Sequence, residues 1–342
     1  MKVLITGGAG LVGSHCCEYY AKQGHKVVAV DNFLRGKLFG NEGDTKINAD
    51  YLTKHFSNIE FHNIDIRDVN KLQELIKGSD LIIHTAAQPS HPKSIEIPLE
   101  DFSINAFGTL QLLEFARKIA DNAVFIFCST NKVYGENPNK LPMVEKETRY
   151  DYADRDGIDE TLSVDYTMHT PFGVSKLTAD VYCQEYGRLY GLKTGIFRLS
   201  CITGPMARAV ELQNWEPFFV WTNLQDKILN VYGFKGKQVR DVIDARDLVR
   251  AFDAFFKKPM EGEIFNMGGG RKNSISLLES FKIIEKLTGK PMKFELKPKR
   301  EADHQVYISD LAKFKSHYDW KIEIGIEQIF KDIYNWLIKY HV

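Results

Sequence analysis

The chain carries no surplus of charge, with 45 Lys and Arg against 45 Asp and Glu in 342 residues. That balance excludes recruitment to nucleic acid or a membrane surface by bulk charge, while leaving local positive sites open. Cysteine is scarce. Cys16, Cys17, Cys128, Cys183 and Cys201 are odd in number and lack C-x-x-C spacing, so neither a disulfide framework nor a zinc site is indicated. Their apolar neighbours predict reduced core thiols, and no metal is expected. No apolar run is long enough to span a bilayer, and the chain opens directly into Val3-Leu4-Ile5 without a charged-then-apolar leader. A soluble, cytoplasmic protein is expected. Its length allows one large α/β domain or two unequal ones.

What is present is an alternation of two periods. Met1–Ile5, Lys26–Val30, Ile59–Phe61, Leu81–His84, Val124–Cys128 and Thr194–Arg198 are short, apolar and rich in β-branched residues, as buried parallel strands are. Between them Leu11–Lys22, Val69–Lys77, Asn105–Ile119 and Phe172–Tyr190 read as amphipathic helices. The pattern predicts an α/β fold, a doubly wound parallel sheet of Rossmann type. After residue 198 the alternation decays. Loops occupy 205–217, a short segment follows at Leu229–Tyr232, a helix at Asp247–Phe256, and a strand at Glu263–Asn266 that returns to the sheet. Ser276–Thr288 and Gly325–Tyr340 read as closing helices. Residues 1–198 are therefore expected to form mainly a nucleotide-binding domain. Residues 199–342 are expected to form mainly a smaller α/β substrate lobe, with 236–270 partly returning to the first domain.

The first strand runs into T-G-G-A-G-L-V-G, with Gly7, Gly10 and Gly13 three apart. Glycines between a strand and a helix permit a tight turn and close backbone approach to a pyrophosphate at the helix N-terminus. Asp31 closes the second strand, where a carboxylate takes both ribose hydroxyls and repels a 2′-phosphate, so NAD is expected over NADP. Asp65-Ile66 ends the third strand, where an acid can accept from an adenine amino group. Ala86-Ala87-Gln88 follow the fourth, small enough to let a cofactor lie against the sheet. Asn105 opens the next helix, either as its N-cap or in support of the cofactor.

Ser129-Thr130-Asn131 end the fifth strand, and a hydroxyl there sits in the crevice where such sheets bind ligands. Thr130 is placed to bond a substrate hydroxyl opposite the aromatic at 172. In T-P-F-G-V-S-K, Phe172 and Lys176 share one helix face. A tyrosine at 172 could exchange a proton with a substrate alcohol while the Lys176 ammonium lowered its pKa. Phe172 keeps the ring and lacks the oxygen. Arg240 and Arg300, each in a polar cluster, are candidates to clamp a diphosphate.

On these residues the whole chain resembles the extended short-chain dehydrogenases/reductases of the nucleotide-sugar epimerase/dehydratase group. The resemblance implies NAD held by Gly7, Gly10, Leu11, Val12, Gly13, Asp31, Asn32, Arg35, Asp65 and Ile66. Ala86, Ala87, Gln88, Asn105 and Lys176 complete that set, with Lys176 on the nicotinamide ribose. Dehydratases of the group carry Asp-Glu after the catalytic Thr. Asn131-Lys132 stand there instead, which argues against dehydration. The runs S-T-N-K-V-Y-G, E-T-R-Y, G-I-D-E-T and H-T-P-F-G-V-S-K are most similar to the CDP-paratose (CDP-tyvelose) 2-epimerase branch.

That likeness implies a CDP-sugar substrate touched by Gln88, Ser129, Thr130, Asn131, Gln213, Trp215, Arg240 and Arg300. The implied reaction is transient oxidation at C2, with Thr130, position 172 and Lys176 as the catalytic group. A homodimer pairing the helices near 105–119 and 172–190 is also implied. Phe172 departs from the family pattern, either as a natural non-catalytic relative or as a replacement of tyrosine. Retention of Lys176, Thr130 and Asp31 favours replacement. The alternatives are a C4 epimerase or reductase of another nucleotide sugar, or a nucleotide-sugar or NAD-binding protein without catalysis.

Overall fold

The structure, a computed structural model, describes residues 1–211 and 213–340. The chain folds as two compact units, each assembled from separate stretches of sequence. The first comprises 1–133, 170–198 and 249–265; the second comprises 134–169, 199–248 and the chain from 266 onward. Residues 134–169 thus belong with the second unit, and 249–265 with the first.

The first unit is built on a seven-stranded sheet. Its spatial order is Glu263–Met267, Lys193–Leu199, Val124–Thr130, Leu81–His84, Lys2–Thr6, Lys26–Asp31, Ile59–Asn63. The Lys2–Thr6 strand pairs in parallel with Lys26–Asp31 on one side and Leu81–His84 on the other. The chain order therefore reverses at that strand, and the loops leaving its carboxyl end and that of Leu81–His84 diverge to open a crevice. This is the expected doubly wound Rossmann fold.

Strand alternation sorts the core. Leu4, Val28, Val30, Ile82, Phe125, Phe127 and Ile196 face one way, onto Leu72, Ile76, Leu112, Leu113, Ala179 and Cys183 of the helices Val69–Ile76, Gly108–Ile119 and Pro171–Tyr190. The ring of Phe197, next along its strand, meets Phe252 and Phe255 of the Ala245–Lys257 helix at 4.8 and 5.9 Å between centroids.

One expected helix is altered. Residues 105–119 do not begin a helix at Asn105. Short helical pieces at Pro98–Phe102 and a π-turn at Ser103–Phe107 run directly into Gly108–Ile119. Asn105 is therefore internal to a helical run and is not an N-cap. A π-turn adds a residue to one helical turn and re-aims the side chains on it, which is why such turns recur at functional sites. A further helix, Lys46–His55, lies in a stretch whose sequence carries no clear helical periodicity.

In the second unit Val239–Asp244 is the central strand, although the sequence offers only a polar cluster around Arg240. It pairs with Cys201–Thr203 and Val306–Tyr307 in parallel and with Ser274–Ser276 antiparallel. Asp241 faces inward on that strand. Its fully buried carboxylate accepts from the Gly270 and Ser309 amides at 2.9 and 3.0 Å and from the Ser200 hydroxyl. These bonds compensate its burial and allow an acid in a core strand. Helices Trp215–Leu224, Leu277–Thr288 and Ile326–Tyr340 enclose Phe219, Val220, Phe281, Ile284, Phe330 and Ile333. The first of these starts inside the expected 205–217 loop. The second begins at a capping box formed by Ser276 and Glu279.

Candidate active site

The glycine turn is built as a cradle. The Gly7 and Gly8 amides donate to Val30 O at 2.7 and 3.0 Å, and the Gly10 amide donates to Gly7 O at 2.9 Å. A Cβ on Gly13 would stand 2.1 Å from Gly7 O, so helix Leu11–Lys22 can approach the strand this closely only through glycine. Gly7 has φ +72°, and a Cβ there would meet Thr85 Oγ1 and Ala86 N at 2.6 and 2.7 Å. The turn and the 85–88 loop therefore abut across the reversal point, with Leu11 and Val12 in the helix's first turn. Bare backbone at a helix N-terminus fits a dinucleotide pyrophosphate.

Asp31 lies against this turn. Its carboxylate accepts from the Ala9 amide at 3.0 Å and the Phe33 amide at 2.8 Å. Burial raises its pKa, and those amide bonds oppose the rise. Asn32 accepts from the Leu34 amide and donates to Asp65 at 2.8 Å. Arg35 lies with its guanidinium carbon 5.4 Å from the Phe39 ring centroid.

Asp65 is saturated. Arg67 donates to it through its amide, Nε and Nη2, and Asn32 supplies a fourth bond, at 2.8–2.9 Å. These fill the carboxylate's four lone-pair positions and, with the Arg67 side chain as largest cause, lower its pKa. An adenine amino group would have to displace one of them. Ile66 is buried against Gly108.

Gln88 is fully buried, and its side chain is occupied within the protein. Nε2 donates to Ser90 O and Asp101, and Oε1 accepts from the Ser90 amide at 2.6 Å. Gln88 is expected to touch both ligands; in the structure its side chain bonds within the 88–90 loop and to Asp101, and so shapes the loop that carries Ala86 and Ala87. Asn105 does the same from the π-turn, accepting from the Gln88 amide at 2.9 Å and donating to Asp101 and to Ser175. Ser175 in turn donates to Asp101. Asp101 and Ser175, which sequence reasoning passes over, thereby tie the 171–190 helix to the fourth-strand loop. Ser94, also passed over, accepts the Phe172 amide at 3.0 Å and satisfies one of that helix's free N–H groups.

His84 closes a further buried chain. Thr109 gives its proton to Asn105 O at 2.6 Å, so the His84 Nε2–H donates to Thr109 and Nδ1 accepts from Thr6 at 2.6 Å. Burial lowers its pKa to about 3, with Lys176 adding to the effect, and it stays neutral.

At the end of the fifth strand Ser129 turns inward to Asp180 at 2.6 Å. Thr130 is half-buried and accepts from the Lys132 amide at 3.3 Å; Asn131 is buried. Phe172 and Lys176 lie one helical turn apart. Lys176 is 4% exposed, and its ammonium sits 4.1 Å from the centroid of the Phe127 ring. Burial drives its pKa down to about 8.

The other candidates lie in the second unit. Arg240 donates to Asp303 at 2.7 Å and to Val239 O, which ties it to the segment bearing Arg300. The Arg300 guanidinium carbon stacks 3.9 Å from the centroid of Tyr232. Trp215 opens the Trp215–Leu224 helix and packs on Phe219 at 5.2 Å, while Gln213 Oε1 is buried without a partner.

The profile of the NAD dependent epimerase/dehydratase family matches residues 3–268. The chain is 36% identical to CDP-paratose 2-epimerase of Salmonella typhi, over 98% of this chain and 99% of that one. It is 30% identical to UDP-glucuronate 4-epimerase of Thermodesulfobacterium geofontis, over 97% and 95%. Among solved structures it is similar to a tyrosine-to-phenylalanine mutant of UDP-glucuronic acid 4-epimerase from Bacillus cereus, in complex with UDP-4-deoxy-4-fluoro-glucuronic acid and NAD. That match has a TM-score of 0.84 and 25% identity, covering 99% of both chains. Among the described residues no helix is long and apolar enough to cross a membrane, and no cluster of side chains suits a metal ion.

Proposed function

Because the chain belongs to the NAD-dependent epimerase/dehydratase family, we propose that it inverts C2 of a CDP-sugar, of the CDP-paratose/CDP-tyvelose or CDP-glucose/CDP-mannose type. The observation that carries the substrate and the position is its end-to-end similarity to CDP-paratose 2-epimerase, stronger than to the 4-epimerase relative. NAD is the cofactor; when bound, it supplies a reversible hydride acceptor.

The chain's own residues do the rest. Gly7, Gly10 and Gly13 admit the pyrophosphate, and Asp31 takes the adenosine ribose. Thr130 steadies the sugar oxygen beside C2. Lys176 holds the nicotinamide ribose and presents its charge to position 172. Arg240 and Arg300, with Gln213 and Trp215, hold the nucleotide diphosphate. Stripping C2 of its hydrogen makes it planar, so return of the hydride to the other face inverts it.

Position 172 is where the family chemistry calls for a phenol. Loss of a general acid–base lowers turnover by about 10²–10⁴-fold, so the chain is an impaired epimerase. A tyrosine-to-phenylalanine mutant of UDP-glucuronic acid 4-epimerase from Bacillus cereus is in complex with both NAD and a sugar nucleotide, which supports binding of both ligands by a chain of this fold that lacks one phenol.

The test is Phe172→Tyr protein incubated with CDP-glucose in deuterated water, with the sugar followed by NMR. Inversion at C2 without deuterium at that carbon supports the reading. Deuterium at C2 would point to deprotonation and overturn hydride return. Inversion at C4 of a UDP-sugar would favour the second reading, which the 4-epimerase relatives support.

A further inference from the structure

We propose that Asn48 is a positioning residue of the cofactor site: its side-chain amide holds the Ala9 carbonyl inside the protein, out of the pyrophosphate seat, and so sets how tightly the chain binds NAD. The inference rests on the reading of the glycine turn as that seat. It adds a residue outside the turn, the helix that follows it and the strand that ends in Asp31.

A phosphate seat made of backbone works when N–H groups face the anion and carbonyl oxygens, which carry partial negative charge, do not. From Gly7 to Gly10 every carbonyl is held by a donor of the protein. Gly7 O accepts from the Gly10 amide at 2.9 Å, and Gly10 O from the Ser14 amide at 2.8 Å. Gly8 O accepts from the Cys17 thiol at 3.8 Å, a weak bond. Those donors come from the turn itself and from the helix Leu11–Lys22. Ala9 O is the exception. It accepts from Asn48 Nδ2 at 2.9 Å, 39 residues further along the chain.

Ala9 is held from its other side as well. Its amide donates to Asp31 Oδ2 at 3.0 Å, and Asp31 Oδ1 accepts from the Phe33 amide at 2.8 Å. The stretch 33–48 therefore departs from Ala9 through Asp31 and returns to it through Asn48. Both Ala9 and Asn48 are fully buried. Asn48 is the third residue of the helix Lys46–His55, in which Ala49 and Leu52 are buried too. The Tyr51 hydroxyl ties that helix to Leu11–Lys22 by donating to Glu18 at 3.2 Å.

The consequence follows from the planarity of the peptide. Without Asn48 the Ala9 carbonyl is buried and unpaired, and rotation of the Ala9–Gly10 peptide toward solvent relieves it. The Gly10 N–H lies in that plane and swings with the oxygen, leaving its bond to Gly7 O. An oxygen is then presented where the turn should offer N–H groups. Asn48 prevents this with an uncharged donor, which adds no negative charge beside the anion.

The experiment titrates the full chain with NAD and with ADP by calorimetry, as the unsubstituted protein, Asn48→Ala, Asn48→Asp, Asn58→Ala and Gly13→Ala, and records urea midpoints. Asn58 is the control: its Nδ2 also donates to backbone, to Ala21 O and His25 O at 2.9 and 2.8 Å, at the far end of the same Leu11–Lys22 helix. Asn48→Ala is expected to weaken both ligands by about tenfold or more and to shift the ³¹P signals of bound NAD. Asn58→Ala should lower the urea midpoint and leave both readouts unchanged. Asn48→Asp keeps the shape but sets an oxygen where the donor stood, so it should bind NAD more weakly than Asn48→Ala. A residue that only filled space would rank the two in the opposite order.

Equal NAD affinity in Asn48→Ala and the unsubstituted protein, or an equal loss in Asn58→Ala, overturns the inference. If Gly13→Ala still weakens NAD, the glycine-turn reading stands. Unchanged NAD binding in Gly13→Ala overturns both. Should Asn48→Asp fail to fold, Asn48→Ala against Asn58→Ala decides.

Discussion

Arg198 grips the carboxylate of Asp180 with Nε and Nη2 at 3.0 and 3.1 Å, joining the sixth strand of the large sheet in chain order to the helix that carries Phe172 and Lys176. Both residues are at most 4% exposed, and Ser129 and Gln184 complete the carboxylate's bonding. Removing one partner strands a buried charge. Asp180→Ala is therefore expected to lower stability by about 3–5 kcal/mol, read from the urea midpoint. Asp180→Asn keeps the shape and should cost less. Equal midpoints for Asp180→Ala and the unsubstituted protein would refute this anchoring role.

The glycine turn allows a sharper expectation. A Cβ at Gly13 would sit 2.1 Å from the Gly7 carbonyl oxygen, and backbone on both sides leaves no flexible group to yield. Gly13→Ala should push the helix off the strand and weaken NAD binding by more than tenfold, measured by calorimetry. Gly24→Ala is a suitable contrast: nothing lies within 4 Å, yet φ is +79°, so it should cost stability through backbone strain and leave NAD affinity unchanged.

Glu216 gives a pH dependence of definite sign. It is 1% exposed, Oε1 has no partner, and burial raises its pKa to about 8 against an ordinary 4.5. Its own amide and Arg240 pull the other way, less strongly. Between those two values the folded chain holds a proton that the unfolded chain releases, so stability falls as pH rises through that window. The loss is on the order of a few kcal/mol by pH 8. Glu216→Gln removes it. Thermal unfolding at pH 5 and pH 8 should show the variant gaining on the parent as pH rises, and parallel curves would rule out a protonated Glu216.

The large sheet is legible in the sequence because its strands are buried on both faces and so read as plain apolar runs. Leu81–His84 and Leu11–Lys22 have the same bounds in the sequence pattern and in the fold. The glycine turn is legible because its spacing and its place after a strand leave few other uses. Val239–Asp244 is not, since Arg240, Asp241 and Asp244 mask a strand whose buried acid Asp241 is satisfied by residues 41, 29 and 68 positions away. Asn105 is misplaced by its sequence because a π-turn depends on what the inserted residue meets, here Gln88, Asp101 and Ser175. Those partners converge only in the folded chain. For the same reason the occupied side chains of Gln88 and Asp65 look available from sequence.

The last expectation concerns assembly. Along the Pro171–Tyr190 helix Val174, Val181, Tyr182 and Leu189 are exposed, at spacings that place them on one broad face. Phe107, just before the Gly108–Ile119 helix, and Ile119, its last residue, are exposed as well. Apolar side chains exposed on a protein surface mark interaction sites, and the homodimer that the family resemblance implies would cover them. Light scattering after gel filtration should give twice the chain's 39.2 kDa. Val181→Asp with Leu189→Asp should give the single mass, because two carboxylates per protomer would have to be buried without partners. A parent protein that runs as a monomer at tens of micromolar would remove the dimer and leave this face needing another explanation.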